Sequence, residues 1–179
     1  MLTIGNTVFV LVDVQGKLAE LMHDKERLFA SLRQLVLGLQ ALRVPVLWLE
    51  QNPTRMGETI APLREILEPE TPIAKMSFSG WGCTAFRERL EQSGCRQVLL
   101  AGIETHVCVF QTAADLVASG YTVQVVADAV SSRTAANREI GLERIRACGA
   151  PLTSVESALF ELLRTAEHPA FREVLRLVR

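Results

Sequence analysis

The sequence predicts a doubly wound α/β fold, a parallel sheet with helices on both faces. Three observations predict it. Short apolar runs rich in branched residues alternate with stretches of helical period along the whole chain. Residues 7–50 read as strand, long helix and strand, which implies a right-handed crossover between parallel neighbours. The stretch Gln97-Val98-Leu99-Leu100-Ala101-Gly102-Ile103-Glu104-Thr105-His106-Val107-Cys108-Val109 reads as a strand buried on both faces that passes through a glycine-led turn into a helix.

Taken in order, Thr7 to Val12 is the first strand and ends in a carboxylate, Asp13, at the carboxyl edge of the sheet. Residues 24–43 place Leu28, Leu32, Leu35, Leu39 and Leu42 on one helical face, with Arg27 and Arg33 on the wet side and Asp24 as N-cap. Pro45 marks the return into Val46-Leu47-Trp48-Leu49-Glu50. From Gln51 to Thr71 the pattern loosens, with Asn52-Pro53, Gly57, Pro62 and Pro69, and leaves room for one short helix near 60–67. Ile73 to Lys75 reads as a short strand, followed by a loop carrying Phe78 and Trp81. A helix from Thr84 to Ser93 leads through Gly94 into the central strand.

Beyond that strand, Thr105 is the expected N-cap of a helix running to about Ser119 and stopped by Gly120. Tyr121 to Asp128 is a fifth strand ending in a second acid. Ser132 or Thr134 opens a helix through Ile140, Leu142, Ile145 and Cys148. Leu152 to Val155 is an edge strand, and helices near 156–165 and 169–178 close the chain. With no repeat or linker in 179 residues, one domain over 1–179 is expected.

Composition narrows the function. Hydrophobic residues make up 49% and charged residues 22%, an ordinary globular balance. The formal net charge is −1 with both signs interspersed, so neither nucleic acid nor anionic lipid is expected as a partner. The apolar run Val8–Val12 is too short to span a bilayer and has no cationic stretch before it, so a soluble cytoplasmic protein is expected. Cys83, Cys95, Cys108 and Cys148 have no C-x-x-C spacing, and His23, His106 and His168 complete no zinc pattern with them. Neither disulfides nor a metal is expected.

Taken alone, Asp13 reads as a loop cap, Lys75 as solvated surface and each cysteine as an inert apolar side chain. Cys108 differs because it falls on the first turn of a helix, where free N–H groups and the dipole would lower its pKa from roughly 8.5. Cys108 at the carboxyl end of a strand also occupies the place where open α/β sheets bind ligands.

Four segments together carry a resemblance. Leu11-Val12-Asp13-Val14-Gln15, Ala74-Lys75-Met76-Ser77-Phe78-Ser79, Gly102 to Val109 with Gln111-Thr112-Ala113, and Asp128-Ala129-Val130-Ser131-Ser132-Arg133 resemble the isochorismatase-like cysteine hydrolases in the right order. The resemblance implies a Rossmann-like three-layer α/β/α fold with a six-stranded parallel sheet ordered 3-2-1-4-5-6. It implies a catalytic triad of Asp13, Lys75 and Cys108, and a cis peptide between Ile103 and Glu104 that aims backbone N–H groups of Glu104 and Cys108 at an oxyanion.

The residue types fit that chemistry. Cys108 would attack an electrophilic carbon, Asp13 would move the proton, and Lys75 would favour thiolate and orient the carboxylate. Gln15, Glu50, Gln51, Phe78 and Trp81 are candidate substrate contacts, with Glu104 beside them.

Departures from the family pattern matter too. The nicotinamidase branch carries an Asp-x-His metal motif, whereas this chain has Glu50-Gln51-Asn52-Pro53 and no histidine between His23 and His106. No metal or other cofactor is therefore implied. True isochorismatases, which cleave a vinyl ether, do not rely on this cysteine, so retention of Cys108 points to a C–N bond in a small molecule. Vinyl-ether or ester hydrolysis, or a non-catalytic binding subunit, are the alternatives. The resemblance also implies a homo-oligomer, dimer or tetramer, and Trp48 and Trp81 near strand ends are expected outside the core.

Overall fold

The computed structural model describes residues 1–179. In chain order the elements are strand β1 (Thr7–Val12), helices α1 (Gly16–Glu20) and α2 (Lys25–Ala41), β2 (Val46–Gln51), α3 (Pro53–Met56), α4 (Ala61–Leu67), β3 (Ile73–Lys75), α5 (Thr84–Gln92), β4 (Gln97–Ile103), α6 (Phe110–Ala118), β5 (Thr122–Ser131), α7 (Ala135–Ala147), β6 (Leu152–Thr153), α8 (Val155–Leu163) and α9 (Phe171–Leu177). Six parallel strands lie in the order β3-β2-β1-β4-β5-β6. Helices α2, α4, α8 and α9 pack together on one face, and α5, α6 and α7 cover the other.

The central strands owe their position to their composition. Every residue of β1 is buried, and all of β4 beyond Gln97 is buried as well, because helices cover both sides. One cluster of 50 buried apolar residues runs through both layers. Parallel pairing puts the carboxyl ends of β1, β2, β3 and β4 along one edge, so the loops that leave them share one rim.

Several local expectations are corrected. The one-turn helices α1 and α3 fall where the sequence reads as loop, since a single turn is too short to show a period. Asp24 does precede α2, but its backbone is left-handed (φ 52°) and its side chain caps nothing. Thr105 is not the N-cap of the Cys108 helix. Glu104 holds that position, and Thr105 to Val109 form a wider π turn in which the Val109 N–H reaches back to the Glu104 carbonyl. Thr134, rather than Ser132, caps α7 by accepting from the Asn137 N–H.

Trp48 is buried, not peripheral, and its Nε1 donates to Thr59 Oγ1 at 2.7 Å. Strand β5 continues three residues past Asp128. Its pairing with β4 jumps from Leu100↔Val125 to Gly102↔Val130, because the intervening residues bulge out where Val125 and Val126 pair with β6. Asp128 then accepts from the Val155 N–H at the start of α8 instead of ending the strand.

Candidate active site

The site is assembled at the carboxyl ends of β1, β3 and β4. Asp13 follows β1 in a left-handed conformation (φ 53°), with its N–H donating to the Leu49 carbonyl. Gly102, opposite Val12, allows the two central strands to close at this end. A Cβ on it would lie 2.1 Å from the Val12 carbonyl oxygen, and its φ of +123° suits glycine alone. Two residues further on, the chain turns through a cis Ile103–Glu104 peptide into the turn that carries Cys108.

Lys75 is the last residue of β3 and pairs in register with Gln51. Its side chain is fully buried and is held by four oxygens: Asp13 Oδ2 at 2.7 Å, Gln51 Oε1 at 2.9 Å, and the carbonyls of Ser77 and Phe78 at 3.1 Å each. The two carbonyls come from the loop after β3, which is itself fastened to α6 where the Gly80 N–H donates to the buried Thr112 hydroxyl. Asp13, 1% exposed, therefore forms a buried ion pair that only an ammonium with a full set of acceptors makes tolerable.

Asp13 Oδ2 is taken by Lys75, while Oδ1 accepts no N–H or O–H and the carboxylate is a hydrogen-bond partner of the Cys108 thiol. Burial pushes the Asp13 carboxyl above its ordinary value against the opposing pull of Lys75. The Cys108 thiol, 8% exposed, is pushed up to about 12, first by burial and then by the charge of Asp13. Here the expected thiol of lowered pKa is corrected. The charge of Lys75 is committed to Asp13, and the desolvated thiol faces a carboxylate. Beside Asp13 the neutral thiol is therefore favoured over the thiolate.

A cavity of about 280 Å³ opens over these groups, lined by Asp13, Gln51, Phe78, Ile103, Glu104 and Cys108 from the expected set. It is also lined by Leu18, Met56, Val107 and Arg133, which sequence reasoning did not single out. Leu18 and Met56 sit on the unforeseen helices α1 and α3. Arg133 belongs to the quoted Asp128–Arg133 segment, and the strand continuation past Asp128 carries it to Glu104, whose Oε1 accepts from its Nε at 3.1 Å and from its backbone N–H at 3.3 Å.

Three candidate contacts are corrected. Gln15 is fully buried and ties loops together, donating to the carbonyls of Gln51 and Gly57 and accepting from the Gln51 N–H. Glu50, on the opposite face of β2 from Gln51, accepts from the N–H and hydroxyl of Thr59. Trp81 turns away from the cavity and meets the Tyr121 ring edge-on at 5.8 Å, since the Gly80 anchor ends the loop before it.

The turn bearing Cys108 is held from behind. A Cβ on Gly141 of α7 would fall 2.7 Å from the His106 N and 2.8 Å from the Thr105 carbonyl carbon, so α7 touches this turn backbone to backbone. His106 Nδ1 and Ser132 Oγ lie 2.9 Å apart beside it. Gly141→Ala is expected to cost about 1–3 kcal/mol by overpacking. It should also lower kcat more than it raises KM, because the turn must move to make room. Thermal melts and steady-state kinetics read both effects, and unchanged kinetics would mean that the turn is not positioned by this contact.

With the geometry in place, comparison with known proteins is decisive. The family described as Isochorismatase domain matches residues 7–157. This chain belongs to that family. It is 39% identical over 178 residues to the secreted isochorismatase effector Isc1 of Phytophthora sojae (strain P6497), covering 97% of this chain and 85% of that protein. It is 33% identical over 182 residues to isochorismatase domain-containing protein 1 of Danio rerio, covering 99% of this chain but only 64% of that relative's length. The structure of MAR1 ribonuclease from Caenorhabditis elegans matches it with a TM-score of 0.92 at 34% identity, covering 99% of this chain and 91% of that one. Membership in the isochorismatase family supports a hydrolase. No helix is long and apolar enough to cross a membrane.

Proposed function

We propose that this chain is a cysteine hydrolase that cleaves the C–N bond of a small amide through a thioester on Cys108. One observation carries the reading: a buried, Lys75-paired carboxylate, Asp13, is the hydrogen-bond partner of the Cys108 thiol in the same cavity. The thiol adds to the amide carbonyl as Asp13 takes its proton, which lets a thiol of high pKa act as a nucleophile without standing ionised. Backbone N–H groups of Glu104 and Cys108 receive the oxyanion. Asp13 returns the proton to nitrogen as the C–N bond breaks and ammonia leaves. Water then attacks the thioester, giving a proton to Asp13, and the carboxylic acid departs as that proton returns to sulfur. No cofactor enters this sequence.

Two pH expectations follow. Asp13 must be ionised to accept a proton, so kcat/KM falls on the acid side, and burial moves that fall above the ordinary carboxylate value of 3.8. The thiol should yield no thiolate near neutrality and ionise only towards about 12. Difference ultraviolet absorbance between the protein and Cys108→Ala measures the latter, and a thiolate signal at pH 7 would contradict it.

The raised carboxyl of Asp13 also favours a second reading, in which protonated Asp13 serves as general acid on a vinyl ether. The C. elegans structure bears the name of a ribonuclease. In this cavity both cations, Lys75 and Arg133, are paired with acids and the whole chain carries −1, which leaves little to attract a phosphate backbone. A panel of small amides scored for ammonia, run beside a vinyl ether, an ester and an RNA oligonucleotide, separates these readings. Turnover of amides alone supports the first reading, and turnover of only the vinyl ether or the RNA overturns it.

The working protein is proposed to be a cytoplasmic homo-oligomer, a dimer or tetramer, in which residues 1–179 act as one domain. Met76, 72% exposed in the loop after β3, is the kind of apolar surface an assembly covers. Light scattering should give a multiple of the 19.8 kDa chain mass, and a monomer at micromolar concentration would refute it.

A further inference from the structure

We propose that the acyl group of the substrate is neutral and apolar, a short aliphatic or aromatic group on a primary amide. The inference rests on the amide-hydrolase reading and names the substrate class for it. Above the Asp13–Cys108 floor, the cavity walls are Leu18, Met56, Phe78, Ile103 and Val107. They come from four separate places in the chain: α1, α3, the loop after β3, and the β4 end with its turn. Phe78 is over half exposed although its own carbonyl is pinned by Lys75, so core packing does not account for a phenyl ring at this mouth.

The charges around the cavity balance, which leaves no excess positive charge for an anionic substrate. The Lys75 charge is matched by Asp13 and the Arg133 charge by Glu104. The Gln51 amide is used at both ends, accepting from Lys75 and donating to the Met76 carbonyl. A carboxylate on the acyl chain would have to share Arg133 with Glu104 and leave two anions on one cation. Asp13 Oδ1 accepts no N–H or O–H, and the carboxylate is instead the hydrogen-bond partner of the Cys108 thiol. Return of the thiol proton to the amide nitrogen sets the nitrogen beside Asp13 and the carbonyl carbon over Cys108, and turns the acyl group towards the apolar wall. At about 280 Å³ the cavity sits just below the roughly 300–1,000 Å³ typical of drug-sized ligands, which limits the acyl group to a few carbons or one ring.

The test is kcat/KM for ammonia release from acetamide, propionamide, butyramide, pentanamide and benzamide, with succinamate as the anionic counterpart of pentanamide. Apolar burial predicts a rise of about fourfold per methylene until the cavity is filled. Succinamate should fall at least tenfold below pentanamide. Phe78→Ala should flatten the rise, and Phe78→Leu should restore most of it. Because Phe78 is exposed, neither variant threatens the fold. A flat series, or succinamate preferred over pentanamide, overturns the acyl-group inference and leaves amide hydrolysis standing. Release from none of these amides overturns both.

Discussion

Asp13→Asn is expected to lower kcat/KM by about 10²–10⁴-fold, the span general base catalysis supplies. An amide oxygen accepts a hydrogen bond but cannot hold the thiol proton. The substitution also removes the negative charge that helps raise the Cys108 thiol, so the variant should ionise Cys108 more readily while turning over far more slowly. That opposition separates two roles. If Asp13 served only to orient Lys75, a more ionised thiol would sustain or raise the rate. Paired measurement of kcat/KM and of the Cys108 titration decides the matter, and a rate within tenfold of the parent would remove Asp13 as the base. The fold should survive at reduced stability, because the Lys75 ammonium loses its counter-charge but keeps Gln51 Oε1 and the carbonyls of Ser77 and Phe78.

Lys75→Met should have the larger effect on stability. It leaves Asp13 buried with no counter-charge, and breaking a buried pair from one side costs about 3–5 kcal/mol. The carboxyl, already raised by burial, would rise further without the opposing pull of Lys75. At this chain length the loss corresponds to a melting temperature lower by on the order of 10 °C. The double variant Asp13→Asn with Lys75→Met should recover much of it, since no lone charge then remains inside. Urea midpoints for the two single variants and the double complete the cycle. A Lys75→Met midpoint within about 1 kcal/mol of the parent would show that the pair is not buried as described.

The central strands were legible because all-parallel sheets hide both faces, so β1 and β4 appear as unbroken apolar runs, whereas the strand order came from the family resemblance. Asp13, Lys75 and Cys108 were singled out together only by the family resemblance, since each alone reads as cap, surface or inert thiol. Less visible was whatever depends on contacts between distant segments. The pairing of β5 with β6 and its return to β4 carry Arg133 into the cavity, and no local pattern announces a bulge of that kind. Gln15 and Glu50 read as site residues because they flank Asp13 and Gln51, yet loop bonding and strand alternation point them elsewhere. The protonation of Cys108 was misread for a similar reason. Position on a helix turn is visible in sequence, but burial and a facing carboxylate are properties of the folded cavity.

The measurement that bears most directly on the account is ammonia release by Cys108→Ala from an amide that the parent protein hydrolyses. Alanine removes only a sulfur from a half-lined cavity, so the protein should keep its fold and bind the amide. Covalent catalysis at this thiol predicts that kcat falls on the order of 10⁴-fold or more, as removal of a nucleophile does elsewhere. Full turnover by Cys108→Ala would contradict it and assign the chemistry to Asp13 acting alone as an acid.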